Sequence, residues 1–258
     1  MAGTDSTKIL VTGGPVVVLV GAQLGENIGT AVRAMGNCGL GELRLVNPRA
    51  GWLNEKTIAA SSGADAILDA ARVYASTAEA TADLHHVFAT TTRTRDMEKP
   101  VVTPRVAANV MRSVANKGEK VGLLFGPERS GLTNEDVALA KTIIAVPLNP
   151  AFSSLNLAQA VLLLGYEWFQ AGLAPDDVAS SSVSASRTGT LPATQAALLD
   201  FFAHLEGELD ICGFLRIAEK RSGMVLNIRN IFTRAGLTDR EVSTLRGIVS
   251  CLAQRPRG

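Results

Sequence analysis

The chain has 258 residues, carries 25 Lys and Arg against 24 Asp and Glu for a formal net charge of +1, and is 47% hydrophobic. That length and apolar content support one large domain, or a domain with an appendage, around a sizeable core. A near-zero net charge neither favours nor excludes a nucleic-acid partner, because phosphate binding depends on how charge is distributed. No apolar run is long enough to span a bilayer, and Met1 to Leu10 lacks the basic start and apolar core of a secretory signal, so the expected location is the cytoplasm. Cys38, Cys212 and Cys251 lie far apart without metal-ligand spacing. They support neither a disulfide framework nor a zinc site, and the expectation for them is small buried hydrophobes.

In chain order, residues Met1 to Gly14 are polar and Gly/Thr-rich, and Val16 to Val20 reads as a strand covered on both faces. The loop Gly21 to Gly29 precedes a helix expected from Thr30 to Cys38 and closed by Gly39. Its apolar positions Ile28, Ala31, Val32 and Met35 share one face and turn Arg33 elsewhere, either toward an anion at the loop or into solvent. Leu43 to Val46 is the next strand, stopped by Asn47-Pro48. A helical segment around Leu53 to Ala60, weaker signals through Val73-Tyr74 and Thr77 to Leu84, and a strand from His86 to Thr90 follow. That strand runs into Thr91-Thr92-Arg93-Thr94-Arg95, whose hydroxyls and guanidinium groups suit a phosphate or another polar ligand, or form an exposed loop with no role. Thr103-Pro104 opens a helix to about Ala115.

Val121 to Phe125 is a buried β-run feeding Gly126-Pro127-Glu128-Arg129-Ser130-Gly131, after which Thr133 and Asp136 form a capping box. A second run, Thr142 to Val146, ends at Pro147, and the loop Leu148 to Ser153 enters an apolar helix that starts near Leu155 and passes Tyr166. Alternating strands and helices predict an α/β domain with a mostly parallel sheet over residues 15–172, and strand tips breaking side by side into Gly/Pro/Asn/Ser loops predict a crevice at its carboxyl edge. Residues 173–190 read as a linker and 191–258 as a helical extension with a second capping box, Thr238 with Glu241. So small a tail must pack on the first domain or on a partner subunit. Its cations, Arg216, Lys220, Arg221, Arg229, Arg234, Arg240 and Arg246, either follow a phosphate backbone or are simply solvated.

The Gly126 to Gly131 loop lacks the Lys-Ser/Thr of a P-loop, and no Gly-x-Gly-x-x-Gly follows a strand, which disfavours NTP hydrolysis and a Rossmann dinucleotide site. His85, His86 and His204 show no ligand spacing and are expected to be structural or surface residues. What remains is a polar-ligand site drawn from four strand-end loops: Asn27 with Arg33, Thr90 to Arg95, Gly126 to Gly131, and Asn149 to Asn156. Glycines there allow close backbone approach, and Ser153, Ser154 and Asn156 offer donors at a helix start. On these residues alone no particular reaction is specified.

The stretches Glu26-Asn27-Ile28-Gly29-Thr30-Ala31-Val32-Arg33-Ala34-Met35, Phe125 to Thr133, and Asn149 to Leu157 resemble, in order, the three motifs of SPOUT-class RNA ribose methyltransferases. The strand-end Thr90-Thr91-Thr92-Arg93-Thr94-Arg95 and tail segments such as Ile231-Phe232-Thr233-Arg234-Ala235 narrow the resemblance to the bacterial enzymes that methylate cytidine or uridine 32 of the tRNA anticodon loop. The resemblance implies a deep trefoil knot with the segment from Gly126 to about Tyr166 threaded through a loop, a homodimer, S-adenosylmethionine as donor, tRNA as substrate and no metal. By that likeness Thr90, Thr91, Thr92, Gly126, Val146, Leu148, Ser153, Ser154 and Leu155 would hold the donor. Asn27, Arg33, Arg93, Arg95 and Glu128 would face RNA, with Glu128 alternatively bonding backbone amides of its own loop. Arg33, Ser154 and Asn156 would serve catalysis, Arg33 from the partner protomer as a phosphate clamp, since guanidinium is always protonated in proteins and has no site left to take a proton. Two other readings stay open: a ribosomal-RNA enzyme of the same class, and a catalytically silent RNA-binding member.

Overall fold

The computed structural model describes residues 13–91, 98–173 and 191–253. Seven strands form one sheet, β1 (Val16–Val20), β2 (Leu43–Val46), β3 (Arg72–Tyr74), β4 (His86–Thr90), β5 (Val101–Val102), β6 (Val121–Phe125) and β7 (Thr142–Ile144). Their order is β3-β2-β1-β6-β4-β7-β5, and every neighbouring pair is parallel. Successive side chains along a strand point to opposite faces, so the near-continuous apolar runs feed two cores. Val17, Leu19, Leu123 and Phe125 face one, while Val16, Val18 and Leu124 face the other.

The first core is closed by α1 (Gly25–Asn37), α5 (Pro104–Ala115) and α7 (Leu157–Leu173), with α2 (Glu55–Ser61) packed on α1 and α3 (Asp65–Asp69) beside both. The second is closed by α4 (Thr77–Thr81) and α6 (Asn134–Leu139). Helix α6 starts as its sequence predicts: Thr133 accepts from Asp136 N and its own N–H donates to Asp136. Asp136 also accepts from Thr77 Oγ1 at 2.6 Å, which ties α6 to α4. On the opposite face the Arg112 guanidinium lies 3.5 Å from the Trp168 ring centroid and donates to Trp168 O, locking α5 to α7.

The expected strands lie where the apolar runs put them, except that β7 stops at Ile144, two residues short of Val146. Helix boundaries moved more. Helix α1 begins at Gly25, five residues earlier than its periodicity suggested, because the opening Gly25-Glu26-Asn27 has no apolar side chain to carry a periodic signal. Two of the histidines are structural: His86 pairs with Glu119, and His85 Nδ1 accepts from Lys120 N, while His204 is half-buried with its Nδ1 without a hydrogen bond among the described residues.

Three helices, α8 (Gln195–Ile211), α9 (Ala218–Ala235) and α10 (Asp239–Ala253), form the C-terminal extension. The second capping box is present, Thr238 N donating to Glu241 at 2.7 Å. Phe201 packs edge-on against Phe232 with centroids 4.9 Å apart. The bundle docks on the sheet domain through its start: Gln195 N and Ala196 N donate to Leu84 O and Ala82 O, and Gln195 Nε2 donates to Leu139 O. One expectation fails here. Cys38 is buried, but Cys212 and Cys251 are exposed, because both lie near helix ends of a bundle too thin to cover its outer faces.

Candidate active site at the carboxyl edge of the sheet

Because all seven strands are parallel, their carboxyl ends share one edge, and β1, β6, β4 and β7 are consecutive there. The loops after β4, β6 and β7 converge on a cavity of about 250 Å³, at the small end of ligand clefts. Thr90, Thr91, Gly126, Val146, Ser153, Ser154 and Leu155 line it, together with Glu128. Phe125, Ile144, Leu157 and Ala160 add an apolar wall.

The cavity exists because two glycines permit it. A Cβ on Gly126 would lie 2.2 Å from Leu132 N and 2.5 Å from Gly131 C, so only glycine lets the loop fold back over its own start. Gly131 has φ +68°, and its N–H donates to Pro127 O at 2.8 Å, closing the loop into a ring. At the β4 end Thr90 Oγ1 donates to Leu124 O at 2.8 Å. Its hydroxyl hydrogen therefore ties β4 to β6 and is not available as a donor to a ligand. Ser153 and Ser154 are exposed and have no hydrogen-bond partner among the described residues, which leaves two free hydroxyls on the cavity rim.

The three motif loops are joined by a directional chain of hydrogen bonds. Glu128 Oε1 accepts from Asn27 Nδ2 at 2.7 Å, Asn27 Oδ1 accepts from Asn156 Nδ2 at 3.1 Å, and Asn156 Oδ1 accepts from Ala158 N at 2.8 Å. A carboxylate only accepts, so it orients the Asn27 amide, which in turn orients Asn156. Asn156 is also the cap of α7: its own N–H donates to Gln159 Oε1 at 3.1 Å in a reciprocal capping arrangement. One carboxylate on the Gly126–Gly131 loop is thus linked to the first turns of both α1 and α7.

Not every residue singled out from the sequence reaches this cavity. Asn27 and Asn156 stand beside it through the chain just described, and Leu148 is half-buried and outside the lining. Arg33 is exposed on α1, outside the lining, and without a partner among the described residues. Thr92, Arg93 and Arg95 lie outside the described residues. Glu128 bonds Asn27 and not the backbone amides of its loop. Ile144 and Ala160 line the cavity without having been singled out from the sequence, and Arg129 was included only as part of the Gly126 to Gly131 loop. Ala160 was findable, since it lies one turn beyond the Asn156 cap and a small residue there leaves room beside the rim.

Among the described residues no group of three or more His, Cys, Asp or Glu stands where it could hold a metal ion, and no helix is long and apolar enough to cross a membrane. Residues 14–166 match the SpoU rRNA Methylase family, and residues 196–258 match the C-terminal domain of the tRNA methyltransferase TrmJ. The tRNA (cytidine/uridine/adenosine-2'-O-)-methyltransferase TrmJ of Pseudomonas aeruginosa is 36% identical over 247 residues, which span 94% of this chain and 95% of that protein. The tRNA (cytidine/uridine-2'-O-)-methyltransferase TrmJ of Escherichia coli is 35% identical over 244 residues, 94% of this chain and 96% of that one. The crystal structure of TrmJ from Z. mobilis superposes with a TM-score of 0.83 at 45% identity, covering 94% of this chain and all of that one, 100%. With both the catalytic-domain match and the tail match in place along one chain, the protein belongs to the SpoU methylase family, in its TrmJ branch of tRNA 2'-O-methyltransferases.

Proposed function

We propose that this chain methylates the ribose 2'-hydroxyl of a pyrimidine in tRNA, at position 32 of the anticodon loop, with S-adenosylmethionine as donor, acting in the cytoplasm as a homodimer. The carrying observation is the convergence of the β4, β6 and β7 loops on one cavity, beside which the Glu128–Asn27–Asn156 chain joins the first turns of α1 and α7. The residues fit such a donor: the wall of Phe125, Ile144, Val146 and Leu157 suits a flat apolar base, the missing Cβ of Gly126 leaves room for close backbone approach, and Ser153, Ser154 and Thr91 offer polar atoms for the ribose and amino-acid parts. When bound, it supplies an electrophilic sulfonium methyl group.

The protein's share of the reaction is mainly positioning, which is worth up to about 7–11 kcal/mol for well-oriented reactants. Ser154 and the Asn156-capped start of α7 orient the ribose, and the Thr90 bond to Leu124 holds the β4 tip in place. The ribose proton passes to a substrate phosphate or to water, while Arg33 clamps a phosphate and steadies the developing oxyanion. Exposed, and unpartnered among the described residues of its own protomer, Arg33 suits a role in the partner's cleft. Two features support a trefoil knot. Strand β6 inserts between β1 and β4, and β7 between β4 and β5, so the chain twice re-enters the sheet between strands already laid down. A ribosomal-RNA substrate is less well supported, because the tail matches a tRNA-methyltransferase domain and the Pseudomonas aeruginosa and Escherichia coli relatives, which match nearly the full chain, are named as tRNA enzymes.

The test is incubation with labelled donor and bulk tRNA, followed by nucleoside mapping by mass spectrometry. The expected product is a 2'-O-methylpyrimidine at position 32; label appearing only in ribosomal RNA, or in no RNA, would overturn the reading. Arg33→Ala is expected to abolish turnover while leaving donor affinity nearly intact, and wild-type turnover in that variant removes Arg33 from the mechanism.

A further inference from the structure

Glu128 and Arg129 are neighbours in the chain with different surroundings. The Glu128 carboxylate is engaged by Asn27, whereas Arg129 is exposed, lines the cavity, and has neither hydrogen bond nor ion pair among the described residues. Among the described residues it is the only cation that lines this cavity. The backbone carrying it is braced from three sides. Gly131 N–H donates to Pro127 O, the Pro127 ring lies 3.1 Å from where a Cβ on Gly21 would sit, and Asp136 anchors the loop's exit to Thr133 and Thr77. A free guanidinium is therefore presented from a fixed stalk at the mouth of the cleft, so less order is lost when it takes up a partner.

Resting on the methyl-transfer reading, we infer that Arg129 binds the phosphodiester flanking the methylated ribose and so positions its 2'-oxygen over the cleft. In RNA the 3'-phosphate hangs from the carbon next to the one bearing the 2'-hydroxyl, so a ribose seated at this rim brings an anion within reach of a rim cation. Guanidinium matches phosphate oxygens in a two-pronged geometry that an ammonium cannot reproduce. Arg129 acts from within the protomer whose cavity it lines, which distinguishes it from Arg33 on the outer face of α1. The competing partner is the carboxylate of the donor's amino-acid part, and it makes a different prediction.

Three proteins decide the matter: wild type, Arg129→Gln and Arg129→Lys, each checked for an unchanged melting temperature. Initial rates are measured against tRNA concentration at several salt concentrations, and donor affinity is measured by calorimetry without RNA. Arg129→Gln is expected to raise KM for tRNA by roughly tenfold or more and to leave donor affinity within about twofold. It should also flatten the slope of log affinity against log salt by about 0.7–0.9, the share of one phosphate contact. Arg129→Lys should keep the salt slope and recover only part of the KM. An unchanged slope in Arg129→Gln, or a loss of donor affinity, overturns the assignment. If wild-type protein transfers no methyl group to tRNA in the same assay, the methyl-transfer reading fails; if it does transfer and Arg129→Gln matches it, only the Arg129 role fails.

Discussion

The sheet domain and the C-terminal bundle reach order by different means. In the sheet domain, apolar side chains fill both faces of a parallel sheet, and Leu19, Leu123, Leu124 and Phe125 are wholly or almost wholly buried. Among the described residues the bundle buries seven hydrophobic side chains, Ala193, Leu198, Phe201, Phe202 and Val242 in one cluster with Leu215 and Val225 outside it, and leaves Ile211 67% and Phe214 58% exposed. Three of its arginines are committed to carboxylates, Arg221 to Asp210, Arg229 to Glu206 and Arg234 to Glu98. Arg216, Lys220, Arg240 and Arg246 have no partner among the described residues. Sub-ångström placement of reactive groups belongs to the domain with the dense core, while the bundle holds its place through a few polar contacts.

The contrast breaks most sharply at Gly126. An alanine there meets backbone atoms at 2.2 and 2.5 Å, which cannot yield as a side chain tip would, so the loop must move. Gly126→Ala is expected to reduce methyl transfer by about 100-fold or more, the cost of a displacement near 1 Å at a positioned site, with calorimetry showing weakened donor binding. Unaltered kinetics would mean that the ring Gly126 to Gly131 is not part of the site. Next in size is Phe201→Ala, which deletes the fully buried ring against Phe232 at a cost of about 3–5 kcal/mol. With so few other buried side chains, the bundle should melt first and separately, giving a second, lower transition in calorimetry while donor affinity of the sheet domain persists. A single shared transition would show that the two regions are one cooperative unit.

How much of this was legible beforehand follows the same division. Strands β1, β2, β4 and β6 announced themselves because a doubly covered parallel strand is an unbroken apolar run, and the capping boxes at Thr133 and Thr238 were readable because both partners lie three residues apart. Residues lining the cavity were found where a loop leaves a strand. The link between Asn27, Glu128 and Asn156 was not legible as a hydrogen-bond chain, since its members lie 101 and 129 positions apart and no local spacing encodes a pairing. The start of helix α9 at Ala218 was not legible for a related reason: its first two turns expose every side chain, and a helix start without an apolar face has no period to detect.

The seam between the two regions holds a titratable group. Lys99 is buried, donates to Ala138 O and Ala140 O, and has its pKa lowered to about 8, first by burial and then by the charge of Arg234 on α9. The unfolded value is about 10.4. Below pH 8 the lysine is charged in both states and the penalty, about 3 kcal/mol at most, is fully present. Between pH 8 and about 10.4 the unfolded chain binds more protons, so stability rises with pH through that window. Lys99→Met should lack this rise, read as a narrowing stability advantage over wild type between pH 8 and 10; parallel profiles would show that Lys99 does not titrate there.

The smallest expected effect is that of Arg234→Ala. Its pair with Glu98 is 2.9 Å long but solvent-exposed, with the two side chains 45% and 89% accessible, so its loss costs at most about 1 kcal/mol. Removing that charge also relieves the repulsion on Lys99, an opposing gain. Net stability near pH 7 should therefore hardly change, and the informative quantity is the midpoint of the alkaline rise, which is expected to move to higher pH. Because the charge on Arg234 reaches Lys99 partly through water, high salt should shrink the wild-type-to-variant difference in that midpoint. A midpoint that stays fixed in Arg234→Ala would mean that burial alone sets the Lys99 equilibrium and that α9 docks on the sheet domain without an electrostatic component.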